Sequence, residues 1–171
     1  MIDEFDAMAN KDIVNYYNWI VTKNNENQYY QVCAAVDPYS TYDLTQFKYS
    51  CDGRIDYSYI ELKGRYVEID AFDDCSIESY KVRNLQRLGN STGHSVYLVA
   101  LYYKNSKIAI WEIDPTHTYN VDTLYCNHHT ATDKKEKKIK EMVKFPLGEA
   151  KIFNMRYNTC LLYTSDAADD G

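Results

Sequence analysis

The stretch of sequence that decides the fold is DLTQFKYSCDGRIDYSYIELK, residues 43–63. Asp52-Gly53 near its centre is typical of a β-hairpin turn, because glycine readily takes up the left-handed backbone conformation that a short hairpin loop requires. The residues on either side are rich in aromatic and β-branched side chains, which favour strands. We therefore predict strands over residues 42–49 and 57–68, joined by this hairpin.

The second of these strands alternates between apolar and charged side chains. Because successive side chains of a strand point to opposite faces of the sheet, Ile60 and Leu62 share one face, whereas Glu61 and Lys63 share the other. Ile60 and Leu62 suit a hydrophobic core. Glu61 and Lys63 are therefore expected to project together on the side away from that core.

The length of the hairpin loop determines which residue stands opposite Glu61. A loop of three residues, 51–53, brings Asp43 opposite Glu61 when the pairing is counted back along both strands. A loop longer or shorter by one residue shifts this pairing. Asp52 and Asp56 are the alternative acidic partners of Glu61, although Asp52 suits the turn and Asp56 lies close to the hairpin.

Two carboxylates and an ammonium group at one spot have a clear chemical use. Neighbouring carboxylates repel each other unless a cation lies between them. Mg²⁺ takes oxygen ligands of this kind and usually also keeps waters and contacts substrate phosphate. Such an ion polarises a phosphoryl group and lowers the pKa of a bound water. Lys63 would orient that water or offset charge on the phosphate, and Lys81, on the next predicted helix, would add a second cation.

The pattern of Asp43, a variable hairpin and then Glu61-Leu62-Lys63 resembles the D…(D/E)-x-K signature of the PD-(D/E)xK nuclease superfamily. The resemblance implies a restriction-endonuclease-like fold with a core in the order α-β-β-β-α-β-β over about residues 10–114. Carried over by position, it makes Asp43 and Glu61 metal ligands, the Leu62 carbonyl a candidate third ligand and Lys63 the catalytic lysine. The sequence around these residues is most similar to small nucleases of phages and mobile elements.

The chain departs from the superfamily pattern at two points. Tyr42, rather than proline, precedes Asp43. No acid near the first predicted helix has the placement of an additional ligand, and Asp12 and Glu26 are the candidates there. The competing interpretation of the whole motif is a solvated hairpin face with an ordinary cross-strand ion pair, since a single E-x-K occurs on many amphipathic strands.

The composition is that of a folded domain. The chain has 171 residues, of which 45% are hydrophobic and 26% charged, and its net charge is −6. This balance excludes wholesale disorder and collagen-like or low-complexity chains, and no apolar run is long enough for a transmembrane helix. The first residues, MIDEFD, lack the pattern of a signal peptide. We therefore expect a cytoplasmic protein without membrane contact, located in the host cytoplasm if a phage encodes it.

The remaining sequence predicts an α/β protein with a mixed, mainly antiparallel central sheet flanked by helices. A first helix is predicted with Asn10 as its cap, and a second over about 76–88, with Asp74 or Ser76 as its cap and Gly89 at its C-terminal end. Further strands are predicted over residues 29–36, 96–103, 108–113 and 150–155.

The residues after about 114 are expected to form an appendage, 115–159, to a single domain, 1–159. We predict a polar loop to about Thr132 and a lysine-rich helix from Asp133 to about Lys144. The basic face of that helix would either contact a nucleic-acid backbone or be solvated. Cys126 and the histidines near it match no closed zinc-site spacing and favour a loop.

The last twelve residues, 160–171, resemble a translated transposase-end sequencing adapter. We interpret them as an artefact of library preparation and exclude them from the fold. Without them four cysteines remain, with no C-x-x-C pair, and they are expected to be free thiols.

Together these features predict a metal-dependent nuclease that hydrolyses phosphodiester bonds in DNA. Its predicted catalytic residues are Asp43, Glu61, Lys63 and Lys81, and its predicted ligands for Mg²⁺ or Mn²⁺ are Asp43, Glu61 and the Leu62 carbonyl. RNA as substrate and a homodimer are left open. The alternatives are a catalytically silent nucleic-acid-binding or assembly protein on the same fold and a structural phage component.

Overall fold

The structure of the chain, a computed structural model, describes residues 4–37, 39–127 and 137–155. Within these residues there are two α-helices, α1 (Glu4–Ile20) and α2 (Ser79–Thr92), and three single-turn 3-10 helices. The strands, in chain order, are β1 (Gln28–Ala34), β2 (Leu44–Ser50), β3 (Ile55–Arg65), β4 (Asp74–Glu78), β5 (Ser95–Tyr102), β6 (Lys107–Glu112), β7 (Val121–Asn127), β8 (Lys137–Pro146) and β9 (Lys151–Asn154).

Six strands form one large sheet in the order β1-β2-β3-β5-β6-β9. β3 and β5 run parallel, and the other neighbours in this sheet are antiparallel. β4 and α2 form the long connection that a parallel pair requires. The predicted α/β fold class, a mixed and mainly antiparallel sheet flanked by helices, is confirmed, and the core order α-β-β-β-α-β-β is found with β4 inserted before the second helix.

One face of the large sheet is covered by α1. Tyr16, Trp19 and Ile20 follow the helical spacing of an apolar stripe and pack with Ile60 and Leu62 of β3 in one buried cluster. This arrangement confirms that Ile60 and Leu62 face a core. Burial of each such side chain contributes about 1.5–3 kcal/mol, so this cluster holds α1 against the strands that carry Glu61 and Lys63.

The opposite face of the large sheet is covered by α2 and by a small antiparallel sheet, β4-β8-β7. Val82 and Leu85 of α2 and Ile77 of β4 join the same cluster as Trp111 of β6. The indole Nε1 of Trp111 donates a hydrogen bond of 2.7 Å to the carbonyl of Pro146, at the end of β8. The small sheet is therefore tied to the large one by both packing and a buried hydrogen bond.

Two predictions about helix ends are wrong. Asn10 does not cap α1, because that helix already includes Glu4. Gly89 lies inside α2, which runs on to Thr92 and ends at Gly93 in the left-handed conformation, with φ of 70°. Gly89 instead lies where α2 packs closely against β5, because a Cβ built on it would lie 3.4 Å from the Val96 side chain.

The predicted start of the second helix is also wrong. Neither Asp74 nor Ser76 is its cap, because both belong to β4, and α2 begins at Ser79. Cys75 and Ile77 are 2% and 0% exposed while their neighbours are half-buried. That period of two is the signature of a strand with one buried face.

The expected polar loop is found over residues 115–120, but strands replace the rest of it and the lysine-rich helix where the structure describes them. Residues 121–127 form β7 and residues 137–146 form β8, and the two pair antiparallel. Residues 128–136, which include His128, His129 and the start of the predicted helix, lie outside the described residues, as do the adapter-like residues 160–171.

The predicted strands of the large sheet are found within three residues of their expected bounds, the largest difference being the end of β3 at Arg65 instead of residue 68. Among the described residues, neither helix has the length and apolar character needed to cross a membrane. The division of the chain into a core over 10–114 and an appendage over 115–159 stays a prediction.

Candidate active site

The hairpin of β2 and β3 brings the Asp43 carboxylate near that of Glu61. Its loop has the predicted three residues, and Gly53 within it has φ of 83°, in the left-handed region that favours glycine. Leu44 is the last residue of β2 to pair, with Ile60, and the Asp43 amide donates a hydrogen bond of 2.9 Å to the Ile60 carbonyl. The predicted register is confirmed from Ser50 and Arg54 to Leu44 and Ile60, whereas Asp43 lies one residue beyond the last pair and is not paired with Glu61.

Asp43 lies immediately before β2, and β3 holds its carboxylate. Asp43 Oδ2 accepts a hydrogen bond of 2.7 Å from the amide of Leu62. The amide and carbonyl of one residue in an extended strand point to the same side, so the Leu62 carbonyl is also directed to the Asp43 side of β3. A carboxylate that accepts one hydrogen bond retains lone pairs for further partners. Two oxygen donors are therefore neighbours where the β2–β3 pairing ends.

Glu61 is a buried carboxylate beside another acid. The residue is 3% exposed, and its Oε1 lies 2.7 Å from Nζ of Lys81. Burial raises the pKa of the Glu61 carboxyl and the charge of Asp43 raises it further, whereas Lys81 lowers it. Because two adjacent carboxylates in a dry site require a cation, the ammonium group of Lys81 stabilises the pair in this structure.

Lys81 reaches Glu61 from the first turn of α2. Its neighbour Val82 is buried in the core, which sets the helix close enough for the lysine to contact β3. Burial alone would lower the pKa of Lys81, but the negative charge of Glu61, with those of Asp43 and Glu78, outweighs that effect and raises it. Lys81 is therefore firmly protonated at neutral pH.

Lys63 follows Glu61 on the same face of β3 and is held by a different acid. Its Nζ lies 3.9 Å from Glu78, which also lies 3.4 Å from Nζ of Lys140. Burial lowers the pKa of Lys63, as does the charge of Lys81. Burial alone would raise the pKa of Glu78, but the positive charges of the nearby lysines have the larger effect, so the pKa of Glu78 is lowered. Lys140, on β8, is a member of this cluster that the sequence did not predict.

A further acid approaches from α1. The Asp12 carboxylate accepts a hydrogen bond from the hydroxyl of Tyr103, and a Cβ built on Gly64 would lie 2.6 Å from Asp12 Oδ1. Burial raises the pKa of Asp12, the bond from Tyr103 lowers it, and the charge of Asp43 raises it. Of the two acids suggested near the first helix, Asp12 thus reaches β3 beside the site, whereas Glu26 lies exposed in the turn before β1.

The chemistry of these donors can be compared with that of a metal site. The part of the chain that the structure describes contains no group of three or more His, Cys, Asp or Glu side chains suited to hold a metal ion. Mg²⁺, however, is commonly bound by one or two carboxylates, with waters and substrate phosphate completing its coordination. Asp43, Glu61 and the Leu62 carbonyl supply that smaller set of hard oxygen donors and fit such an ion.

The chain was compared with known proteins. No family model and no curated protein matches it. Four chains of solved structures match. One is Archaeoglobus fulgidus Hjc, a Holliday junction resolvase from an archaeal hyperthermophile, with 13% identity and a TM-score of 0.43 over 82% of this chain and 87% of that chain. Similarity at this level carries no argument about activity, so the functional argument depends on the geometry of the site.

Proposed function

We propose that this protein is a metal-dependent nuclease that hydrolyses phosphodiester bonds in DNA. The observation that carries the proposal is the Asp43 carboxylate, bonded to the Leu62 amide and close to buried Glu61, with Lys63 and Lys81 beside them. Asp43, Glu61 and the Leu62 carbonyl would hold Mg²⁺ or Mn²⁺. When bound, the ion would polarise a phosphoryl group and lower the pKa of a bound water.

The two lysines have different roles in this proposal. The lowered pKa of Lys63 makes its neutral form more accessible than that of an ordinary lysine, which suits a group that orients an attacking water and accepts its proton. Glu78 holds the Lys63 ammonium in place from the side of β4. Lys81 neutralises Glu61 in the structure, and a cation at Glu61 would free its ammonium group for the substrate phosphate.

One observation favours a second candidate function. The 2.7 Å ion pair between Lys81 and Glu61 already balances one of the two acids without a metal. A protein that used this pair only to stabilise its fold would be catalytically silent and would act as a nucleic-acid-binding or assembly protein. Binding of nucleic acid that persists in EDTA without cleavage would support that alternative.

The experiment that tests the proposal is a cleavage assay on labelled single-stranded, duplex and branched DNA and on RNA, in Mg²⁺, Mn²⁺ or EDTA. We expect cleavage of DNA with either metal and none in EDTA. Glu61→Gln and Asp43→Asn should abolish it. Asp56→Asn is the matched control, because Asp56 is an exposed acid of the same hairpin and should leave the rate unchanged.

Thermal unfolding gives a readout that does not depend on finding the substrate. An ion that binds only the folded protein stabilises it in proportion to the logarithm of its concentration. Mn²⁺ should therefore raise the Tm of the wild type and of Asp56→Asn, and leave that of Asp43→Asn unchanged. Absence of both cleavage and metal-dependent stabilisation would overturn the proposal.

A further inference from the structure

A second concave surface lies on the face of the large sheet opposite the acids. α1 ends at Ile20 and covers only part of this face. Beside it lies a groove of about 660 Å³ that reaches from β1 to β9, a volume in the range of small-ligand sites. Ser58 and Ile60 of β3 line it, and Glu61 between Ile60 and Leu62 points the other way. The groove and the candidate active site are therefore back to back across β3.

Aromatic rings from four elements line this groove. Tyr30 on β1, Tyr97 on β5 and Phe153 on β9 are half-buried, so part of each ring meets solvent. Trp19 of α1 lies beside them, with its ring centroid 5.4 Å from that of Phe153. Its indole Nε1 is buried and has no hydrogen-bond partner among the described residues.

Three lysines surround the same rings. Lys23, Lys48 and Lys151 line the groove, and within the described residues none of them has an acidic partner within 4 Å. Lys23 lies 5.3 Å from the ring centroid of Trp19, and Lys48 lies 5.9 Å from that of Tyr30. In a chain with a net charge of −6, three unpaired ammonium groups around one cavity favour an anionic ligand.

We propose that this groove binds a nucleoside phosphate, either as a free mononucleotide or as one nucleotide of a single strand. The base packs on the rings, an interaction worth about 1–3 kcal/mol for each stacked base, and the phosphate lies among the ammonium groups. The lining contains one acid, Asp56, which is exposed and lies 3.8 Å from Arg54. Asp56 stands opposite Lys48 in the β2–β3 pairing, so the lining has three positive charges and one negative charge, and Lys23 and Lys151 have no acid in the lining to balance them. The site needs neither the acids nor the metal of the proposed nuclease.

The chain provides its own reporter for this site. It has two tryptophans, and Trp111 is buried on the other face of the sheet. In a Trp111→Phe protein the fluorescence therefore comes from Trp19, in the wall of the groove. We would titrate this protein, in EDTA, with adenosine 5′-monophosphate, adenosine, inorganic phosphate and a short oligodeoxyadenylate.

The expected result is a saturable change in Trp19 emission with the nucleotide, and binding at least tenfold weaker for adenosine or phosphate alone. A Lys48→Ala, Lys151→Ala double variant should weaken nucleotide binding at least tenfold. Lys104→Ala, at an exposed lysine in the turn after β5, should not change it. Tighter binding of the oligonucleotide than of the mononucleotide supports a strand as the source, and equal binding supports a free nucleotide.

Three results would overturn the inference: no saturable change with the nucleotide or the oligonucleotide, equal binding of phosphate alone, or an unaffected double variant that remains folded by circular dichroism. Glu61→Gln separates this site from the proposed function. It should abolish cleavage and leave the Trp19 titration unchanged, so a failure of the nuclease proposal and a failure of the groove proposal are seen in different measurements.

Discussion

Replacement of Lys81 by methionine perturbs the charge balance of the candidate site directly. Methionine keeps an unbranched apolar side chain but lacks the ammonium group, which lies 2.7 Å from Glu61 Oε1. The Glu61 side chain is 4% exposed, and burial and Asp43 already raise its pKa. The variant leaves this carboxylate without its counter-charge, so we expect the pKa of Glu61 to rise further and the folded state to lose stability.

The loss at pH 7 has a ceiling, because Glu61 can take up a proton instead of remaining charged. From its ordinary pKa of 4.5, protonation at pH 7 costs about 3.4 kcal/mol, at about 1.36 kcal/mol per pH unit. Lys81 is one-third exposed, which reduces its contribution, so we expect a loss of about 2 kcal/mol at pH 7. At pH 5 the same ceiling is about 0.7 kcal/mol.

The sign of the pH dependence follows from proton linkage. A carboxyl whose pKa is higher in the folded state than in the unfolded state makes the folded protein less stable as pH rises between the two values. The difference between wild type and Lys81→Met should therefore grow from pH 5 to pH 7. Adding Glu61→Gln to the variant should restore most of the lost stability, because a neutral amide needs no counter-charge.

Urea unfolding in EDTA at both pH values measures this effect. The matched control is Lys144→Met, which breaks an ion pair of 3.2 Å with Asp122 in which the two side chains are 41% and 54% exposed. Such a pair contributes less than about 1 kcal/mol, and we expect nearly the same value at both pH values. A Lys81→Met loss that is no larger than the control, or that is equal at pH 5 and pH 7, would refute the reasoning.

Two further substitutions test the packing around the site. Gly64→Ala should lower the free energy of unfolding by about 1–3 kcal/mol, because the new Cβ would lie 2.6 Å from Asp12 Oδ1. If adding Asp12→Ala to this variant restores none of the lost stability, that contact is not the cause. Trp111→Phe should lower the free energy of unfolding in urea by about 1 kcal/mol more than Trp19→Phe does. The reason is that, of the two indoles, only that of Trp111 has a hydrogen-bond acceptor among the described residues, the Pro146 carbonyl. Equal losses in the two variants would contradict this prediction.

The β2–β3 hairpin is predictable from sequence because its determinants are local. Gly53 supplies the left-handed residue of the loop, the loop length sets the register, and the alternation at Ile60 and Leu62 decides which face carries Glu61. β5 is equally clear, since residues 96–103 form a nearly unbroken apolar run, as expected for a central strand covered on both faces.

The small sheet is not predictable in this way, because distant partners stabilise it. β8 is rich in lysine, which favours a helix, yet Val143 and Phe145 are 2% and 3% exposed because they pack in the same cluster as β4 and the large sheet. β4 itself has only five residues. Its period of two at Cys75 and Ile77 runs directly into the helical pattern of α2, so the sequence favours one long helix.

In the candidate site, too, the features with local determinants are predictable from sequence and the contacts between distant residues are not. The nearness of Asp43 to Glu61 follows from the hairpin, and Lys81 lies on the inward side of its helix although that helix begins later than predicted. The contact of Asp12 with Gly64 and that of Lys140 with Glu78 join positions more than 50 residues apart. No local pattern encodes such contacts, because they arise only when α1 and β8 pack against the sheet.

The parallel pairing of β3 with β5 has a consequence for the order in which the protein assembles. The chain between Arg65 and Ser95 must cross from one end of the sheet to the other before these strands can pair, and contacts so far apart in sequence form slowly. Lys81 is carried on that crossing segment, whereas the hairpin with Asp43 and Glu61 can close on its own. In a nascent chain, both acids are therefore exposed to water first. The candidate active site is complete only after Tyr102 has left the ribosome.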